Sequence, residues 1–434
     1  MQNSLSGNGG LQTAVTPHCP VSQECGACQH IEERYELQLA RKNARMSDLF
    51  ASFRHVELRP ILGMEDPYHY RNKVVSPYAP GKKLPGVASG TQDGTRGSSR
   101  GDRAREARAR RAAGRPRHEI LCGMYAAHSH RIVPTDGCLV ENAQAKRIVL
   151  AIRNLMPKFG IEPYREDVGS GFLRHVVVRV GHTSEEILVT LVTNGREFPG
   201  SRAFCRELVK RCPAITTIVQ NVNERQTNVI LGEREQVLYG PGFILDKLCG
   251  LSFRISSQSF YQVNAVQTEV LYRKAMELAA FKDEECVVDA YCGTGTIGLV
   301  AAKSGAAHVV GVDTVAAAIR DARENARHNG VENARFVAAD AGVFMREAAA
   351  SGERVDVVLM DPPRAGASEE FLEALAVLAP QRVVYISCDP ETQVRDVRLL
   401  EKKGYRLRVV QPVDMFPHTD HIETIALLER SDIR

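Results

Sequence analysis

The carboxy-terminal third constrains the fold more than any other part of the chain. From Cys286 onward, short apolar runs rich in β-branched residues alternate with longer stretches of helical period. Strands are expected at Cys286 to Ala290, His308 to Val312, Ala334 to Ala338, Val355 to Met360, Gln381 to Ile386, Tyr405 to Val413 and Ile422 to Glu429. Long helical segments separate the first five. Such alternation needs helices on both faces of a mainly parallel sheet, so a seven-stranded, doubly wound α/β domain is expected over residues 257–434. In open sheets of this kind ligands bind at the carboxyl rim of the strands.

That rim carries chemistry. After the first strand comes Asp289-Ala290-Tyr291-Cys292-Gly293-Thr294-Gly295-Thr296-Ile297-Gly298, with Asp313 ending the next strand 20 residues after Gly293. The spacing fits a glycine-rich dinucleotide turn. Asp289 nevertheless places a carboxylate where a pyrophosphate would be repelled, while Asp340 and Asp361-Pro362-Pro363-Arg364 bring further acids to the same edge. Four carboxylates suit a sulfonium, ribose hydroxyls and an adenine amino group, so the expected cofactor is S-adenosylmethionine. Helix capping is the ordinary alternative for each acid, most of all for Asp340. The fifth strand ends in Ser387-Cys388, and Pro390 opens a helix. Cys388 is therefore the candidate nucleophile, although a free cysteine more often only fills space. Upstream, Ser257 to Asn264 groups aromatic and amide side chains at a domain junction, where they suit a planar ligand or interdomain packing.

The remainder of the chain is less regular. Residues 1–17 are polar and expected to be disordered. Cys19, Cys25 and Cys28 then stand close enough for one loop to hold a metal or cluster, zinc and iron-sulfur both remaining open on spacing. A fourth ligand is expected at Cys138, beside a helix entry, with Cys122 as rival. A helix is expected over Ile31 to Phe53, its face of Arg34, Arg41, Lys42 and Arg45 solvated. Residues 18–66 form this cysteine-cluster segment, and 67–256 a mixed α+β middle domain. There, Tyr68 to Val75 reads either as a strand able to stack bases and touch phosphates or, equally, as an ordinary exposed strand with an apolar back face. Between Thr91 and His118 nine arginines face three carboxylates, against a net charge of only +4 for the whole chain. This insertion, residues 89–118, is expected to be disordered and able to attract phosphate. Eleven scattered cysteines favour a reducing compartment, and no long apolar run appears, so a soluble protein without a signal peptide is expected.

Five motifs together resemble the bacterial RNA uracil-5 methyltransferases: Ser-Phe-Tyr-Gln-Val-Asn at 259–264, Asp-Ala-Tyr-Cys-Gly-Thr-Gly-Thr-Ile-Gly at 289–298, Asp-Pro-Pro-Arg at 361–364, Ile-Ser-Cys-Asp-Pro at 386–390 and Asp-Met-Phe-Pro-His-Thr at 414–419. The similarity runs from Cys19 to the carboxyl end. It implies a class I methyltransferase domain that makes 5-methyluridine in ribosomal or transfer RNA. It also implies Cys388 as nucleophile, Glu423 as base, and Gln262, Tyr291, Asp313 and Asp361 at cofactor-binding or active-site positions. Asp340 becomes the adenine contact, beside Gly293, Gly295 and Thr296 of the glycine turn. The amino-terminal cysteines resemble the 4Fe-4S ligands of the ribosomal branch, implying Cys19, Cys25, Cys28 and Cys138, with 23S rRNA favoured over tRNA. A cytoplasmic monomer is expected.

Two departures stand out. The family's Ser-Cys-Asn-Pro is Ser-Cys-Asp-Pro here, placing a carboxylate at Asp389 that would disfavour a thiolate. The residues before Cys19 are too few for the small RNA-binding β-barrel of some members. Competing readings are methylation of an exocyclic nitrogen, which Arg364 in place of an aromatic disfavours, and a cluster-bearing RNA-binding protein without catalysis.

Overall fold

The computed structural model describes residues 17–84 and 118–431. The polar amino terminus and nearly all of the arginine-rich insertion lie outside these residues. Helix α1 (Tyr35–Phe50) and the two-residue strand β1 (Glu57–Leu58) come first. The middle of the chain supplies β2 (Lys73–Lys83), β3 (His118–Tyr125), β4 (Ile132–Pro134), α2 (Ala143–Leu155), β5 (Leu173–Val180), β6 (Ile187–Thr193), α3 (Ser201–Arg211), β7 (Ile215–Val222) and β8 (Arg234–Tyr239). Its seven strands form one sheet in the order β4-β3-β2-β5-β6-β7-β8. Every pairing is antiparallel except β6 with β7, where α3 makes the crossover that a parallel pair needs. Helices α2 and α3 bury Ile148, Ile152, Leu155, Phe204 and Leu208 with the valines of β5 and β6.

The apolar stretch that follows is a hairpin, β9 (Phe243–Leu248) and β10 (Leu251–Ser256). Cys249 and Gly250 turn it, both with positive φ. Strand β8 was not expected from its sequence, and five of its six residues are exposed, so no apolar alternation marks it.

The chain then runs through α4 (Ala265–Ala279), β11 (Cys286–Ala290), α5 (Thr296–Lys303), β12 (His308–Asp313), α6 (Ala316–His328), β13 (Ala334–Ala338), α7 (Ala341–Ser351), β14 (Val357–Met360), α8 (Glu369–Leu378), β15 (Arg382–Ser387), α9 (Pro390–Lys402), β16 (Tyr405–Val413) and β17 (Glu423–Arg430). These seven strands match the expected ones and form a doubly wound sheet of the class I methyltransferase type. An eighth joins them: β1 pairs in parallel with β16, giving the order β1-β16-β17-β15-β14-β11-β12-β13. Separate apolar cores cover the two faces, as buried parallel strands such as Val-Val-Leu-Met of β14 require.

The amino-terminal segment is thus built into the carboxy-terminal sheet. Met46 and Phe50 of α1 are fully buried against its core, each burial worth about 1.5–3 kcal/mol. Lys42, expected on a solvated face, is instead buried, and its Nζ donates to Asp414 Oδ1 at 2.7 Å. Tyr35 Oη donates to the other oxygen of Asp414 at 2.8 Å. Among the described residues no helix is long and apolar enough to cross a membrane.

Candidate active site

A cleft of about 1460 Å³ lies along the carboxyl rim of the sheet, facing the start of β2. Of the twelve residues expected to bind cofactor, substrate or metal at other than glycine, eight are in its wall: Gln262, Tyr291, Thr296, Asp313, Asp340, Asp361, Cys388 and Glu423. Gly293 joins them with φ +53° and no atom within 4 Å of where a Cβ would stand, so the backbone there is open to a ligand. Gly295 does not line the cleft. A Cβ there would meet Phe336 at 2.8 Å, and its role in the fold is to let the first turn of α5 pack on β13.

The acids divide by depth. Asp289, read from the sequence as a rim carboxylate, is fully buried beneath the loop, where its Oδ2 accepts from Gly298 N at 2.7 Å. Burial lifts its pKa to about 8, and Oδ1 has no hydrogen-bond partner. Asp313 orients the turn by accepting from Gly293 N at 3.0 Å and Val315 N at 2.8 Å. Asp340 caps α7 through Val343 N at 2.9 Å and also lines the cleft, so capping and site position coexist.

Register brings the two catalytic candidates together. Strands β15 and β17 are antiparallel, and their last pair is Ser387 with Thr424. One step further along stand Cys388 on one strand end and Glu423 on the other, both in the cleft wall. Burial raises the Glu423 carboxyl to about 8, with Asp361 adding to the shift. Asp361 is itself lifted to about 7 by burial. The Cys388 thiol is pushed up to about 11, first by burial and then by Glu423 and Asp361, against the opposing charge of Arg364. Asp389 is not among the main influences. Its Oδ1 accepts from Glu391 N at 3.0 Å, capping α9, and Oδ2 faces Arg364 Nε at 3.6 Å. The Asp389 carboxylate thus faces the start of α9 and Arg364.

Cations and rings enclose the other side. Arg71 and Lys73 line the cleft, with burial and Arg179 pulling the Lys73 ammonium down to about 8. Of the expected strand from Tyr68 to Val75, the first five residues precede β2 as irregular chain. Phe260 is 75% exposed at the cleft. His421 and Phe416, 5.9 Å apart between ring centroids, also line it; Phe416 belongs to the 414–419 motif, whereas neither was expected in the site by name. Their position beside Glu423 is the signal that could have found them. The 231–233 loop gave none, having no regular structure.

The cysteines of the amino-terminal segment lie apart from this cleft. Cys19, Cys28 and Cys138 pack around Ile31, Tyr70 and Val140. Burial pushes Cys28 to about 12 and Cys138 to about 11, and Cys138, Cys25 and Cys19 each act on Cys28. Cys122 is instead buried in the middle-domain core. Among the described residues no group of three or more His, Cys, Asp or Glu is placed to hold a metal ion. The four thiols are therefore gathered without forming a ready single-ion site, contrary to the simplest expectation from their spacing.

Comparison with known proteins agrees with the fold. Residues 281–427 match a family model described as a methyltransferase domain. A protein of Halalkalibacterium halodurans named as an uncharacterized RNA methyltransferase is 40% identical over 418 residues, covering 96% of this chain and 83% of the relative. One of Oceanobacillus iheyensis with the same description is 39% identical, covering 95% and 83%. Among solved structures, the Pyrococcus abyssi tRNA (uracil-54, C5)-methyltransferase in complex with S-adenosyl-L-homocysteine is 27% identical, with a TM-score of 0.67 over 91% of this chain and 83% of that one. Such identity across nearly the whole of this chain and most of each relative, joined to a methyltransferase fold with its cleft at the carboxyl rim, means that the chain belongs to the S-adenosylmethionine-dependent RNA methyltransferases.

Proposed function

We propose that the protein transfers a methyl group from S-adenosylmethionine to C5 of a uridine in RNA, through a covalent adduct of Cys388 with C6. The observation that carries this reading is the pairing of β15 with β17, which sets a thiol and a carboxyl side by side in one cleft. A methyl transfer to a nitrogen needs neither.

The open backbone at Gly293, with Tyr291, Asp313 and Asp340 around it, fits the cofactor. Bound there, S-adenosylmethionine supplies an electrophilic methyl group. Cys388 adds as thiolate to C6, which makes C5 nucleophilic enough to take that methyl. Glu423 then removes the C5 proton, and the C6–sulfur bond breaks to restore the ring and release the thiolate. Arg364 is the cation nearest in effect to the thiol and favours its charged form. The target base leaves its stack to reach the cleft, where Phe260, Phe416 and His421 offer ring faces.

The favoured substrate is 23S rRNA, on the resemblance of the cysteine segment to the ribosomal branch. The Pyrococcus relative, which acts on tRNA, supports tRNA as the second reading. A 4Fe-4S cluster on Cys19, Cys25, Cys28 and Cys138 is supported by their soft donor chemistry and by the nearness of Cys19, Cys25 and Cys138 to Cys28. Iron and acid-labile sulfide in anaerobically purified protein, lost in Cys28→Ala, are the expected result. Iron-free protein with full activity removes the cluster from the account. For the reaction, 23S rRNA and tRNA transcripts are incubated with methyl-labelled S-adenosylmethionine and digested to nucleosides. Label in 5-methyluridine is expected, from 23S rRNA before tRNA. Label in an N-methylated base overturns the proposal.

A further inference from the structure

A second cavity, of about 850 Å³, opens on the middle domain. It sits within the range of sites for small planar ligands. Its walls are β2 beyond Pro77, the end of β3, the 163–167 loop, the start of β5 and the 227–230 loop. The active-site cleft uses the same two elements, with Lys73 and Val75 one step earlier on β2 and residues 231–233 one step later on the loop. The two cavities are therefore neighbours along one strand and one loop, with Lys73 to Tyr78 spanning about 17 Å of β2.

The lining has a composition unlike a packing defect. Tyr125, His130, Tyr164 and His175 present aromatic rings, and the Arg174 guanidinium lies over Tyr164 at 4.4 Å. Arg174 is 5% exposed and holds the loop wall by donating to the carbonyls of Asn223 and Arg225 at 2.6 and 2.7 Å. Tyr125 Oη and His175 Nε2 are 3.2 Å apart, and His130 Nδ1 pairs with Glu166 Oε2 at 2.8 Å. Arg174 Nε and His175 Nδ1 are buried without partners, hydrogen-bonding capacity that the fold itself does not use. Arg165 and Arg174 are balanced in the wall by Glu166 and Asp167. That balance offers little to a phosphate, whereas ring faces without net charge suit a base.

We infer that this cavity is a second RNA subsite, which takes an unstacked nucleobase a few nucleotides from the uridine in the active-site cleft. It rests on the reading of the protein as an RNA methyltransferase and adds to it a contact that sets which uridine is reached. The base stacks against Tyr125 and His130, while its sugar and phosphate follow β2 toward Lys73. Burial beside Arg174 holds the His175 pKa down near 4, so the ring is neutral and can accept or donate to a base edge.

The test measures binding of uridine oligoribonucleotides from about 4 to about 16 nucleotides to the full chain. Affinity is expected to rise by a step once the oligonucleotide reaches the second cavity. Tyr125→Ala/His130→Ala should weaken the longer oligonucleotides roughly tenfold and leave the shortest unchanged. Should that double variant lose its fold by circular dichroism, His130→Ala alone serves instead, since this exposed ring pairs with the exposed Glu166 at the surface. A 4-thiouridine placed beyond the target is expected to cross-link to a peptide containing Tyr125 or Tyr164. Equal affinity of wild type and folded variants for the long oligonucleotides overturns the subsite alone. A wild type that binds none of them and methylates no RNA overturns the underlying reading as well.

Discussion

Cys388 and Glu423 are both more protonated than the proposed mechanism requires. In the free cleft the thiol lies near 11 and the carboxyl near 8, because both are buried beside one another and beside Asp361. A cation arriving in the cleft relieves all three, and the sulfonium of the cofactor is such a cation. Alkylation of Cys388 by iodoacetamide, followed by peptide mass spectrometry at pH 7.5, should be roughly tenfold faster with S-adenosylmethionine than with uncharged-sulfur S-adenosylhomocysteine. Equal rates would contradict this electrostatic account. Glu423 also carries a stability consequence. Its folded pKa of about 8 exceeds the ordinary 4.5, so between these values the folded state keeps a proton that the unfolded chain has lost. Its contribution to stability therefore falls as pH rises through that window. Glu423→Gln should raise the thermal midpoint at pH 8.5 and lose this advantage near pH 5, while slowing methyl transfer roughly 10²- to 10⁴-fold. A lower midpoint at pH 8.5 would count against the shift. Cys388 could be read from sequence because a thiol at a strand end before a proline is a local pattern. The depth of Asp289 could not, since a strand-end acid at the rim and one below it have the same sequence.

At the scale of elements, the site depends on a segment far from it in sequence. Helix α1 and β1 cover the sheet edge at β16, and Lys42 and Tyr35 both hold Asp414, just ahead of the Phe416 to His421 loop. The periodicity of α1 was legible, but its partner was not, because a lysine on a helix surface is normally solvated. Its burial answers to a single acid 372 residues away. Removing one partner of a buried pair costs roughly 3–5 kcal/mol. Lys42→Met should show that loss in urea unfolding. Lys42→Met/Asp414→Asn should recover part of it, because the neutral amide oxygen still accepts from Tyr35. A double variant no more stable than the single one would show that the charge left on Asp414 is not the cause.

On the scale of the whole molecule, two sheets built by different rules meet at one cleft. The parallel sheet announces itself through long alternating runs, so its seven strands and its binding rim follow from sequence. The middle sheet is less legible. Strand β8 is almost wholly exposed, the hairpin of β9 and β10 hides its turn within one apolar stretch, and both cavities end on a loop without periodicity. Contacts of that kind are set by tertiary neighbours rather than local pattern. What unites the molecule is the convergence of β2, the 231–233 loop and the rim of β15 and β17 on one cleft. The most direct measurement is incubation of the protein with 23S rRNA and tRNA transcripts containing 5-fluorouridine, whose C5 fluorine cannot leave as a proton does. With S-adenosylmethionine present, the expected result is a denaturation-resistant adduct on 23S rRNA whose mass maps to Cys388 and which is absent in Cys388→Ala. Normal methyl transfer by Cys388→Ala, or no adduct on either RNA, would contradict the central claim.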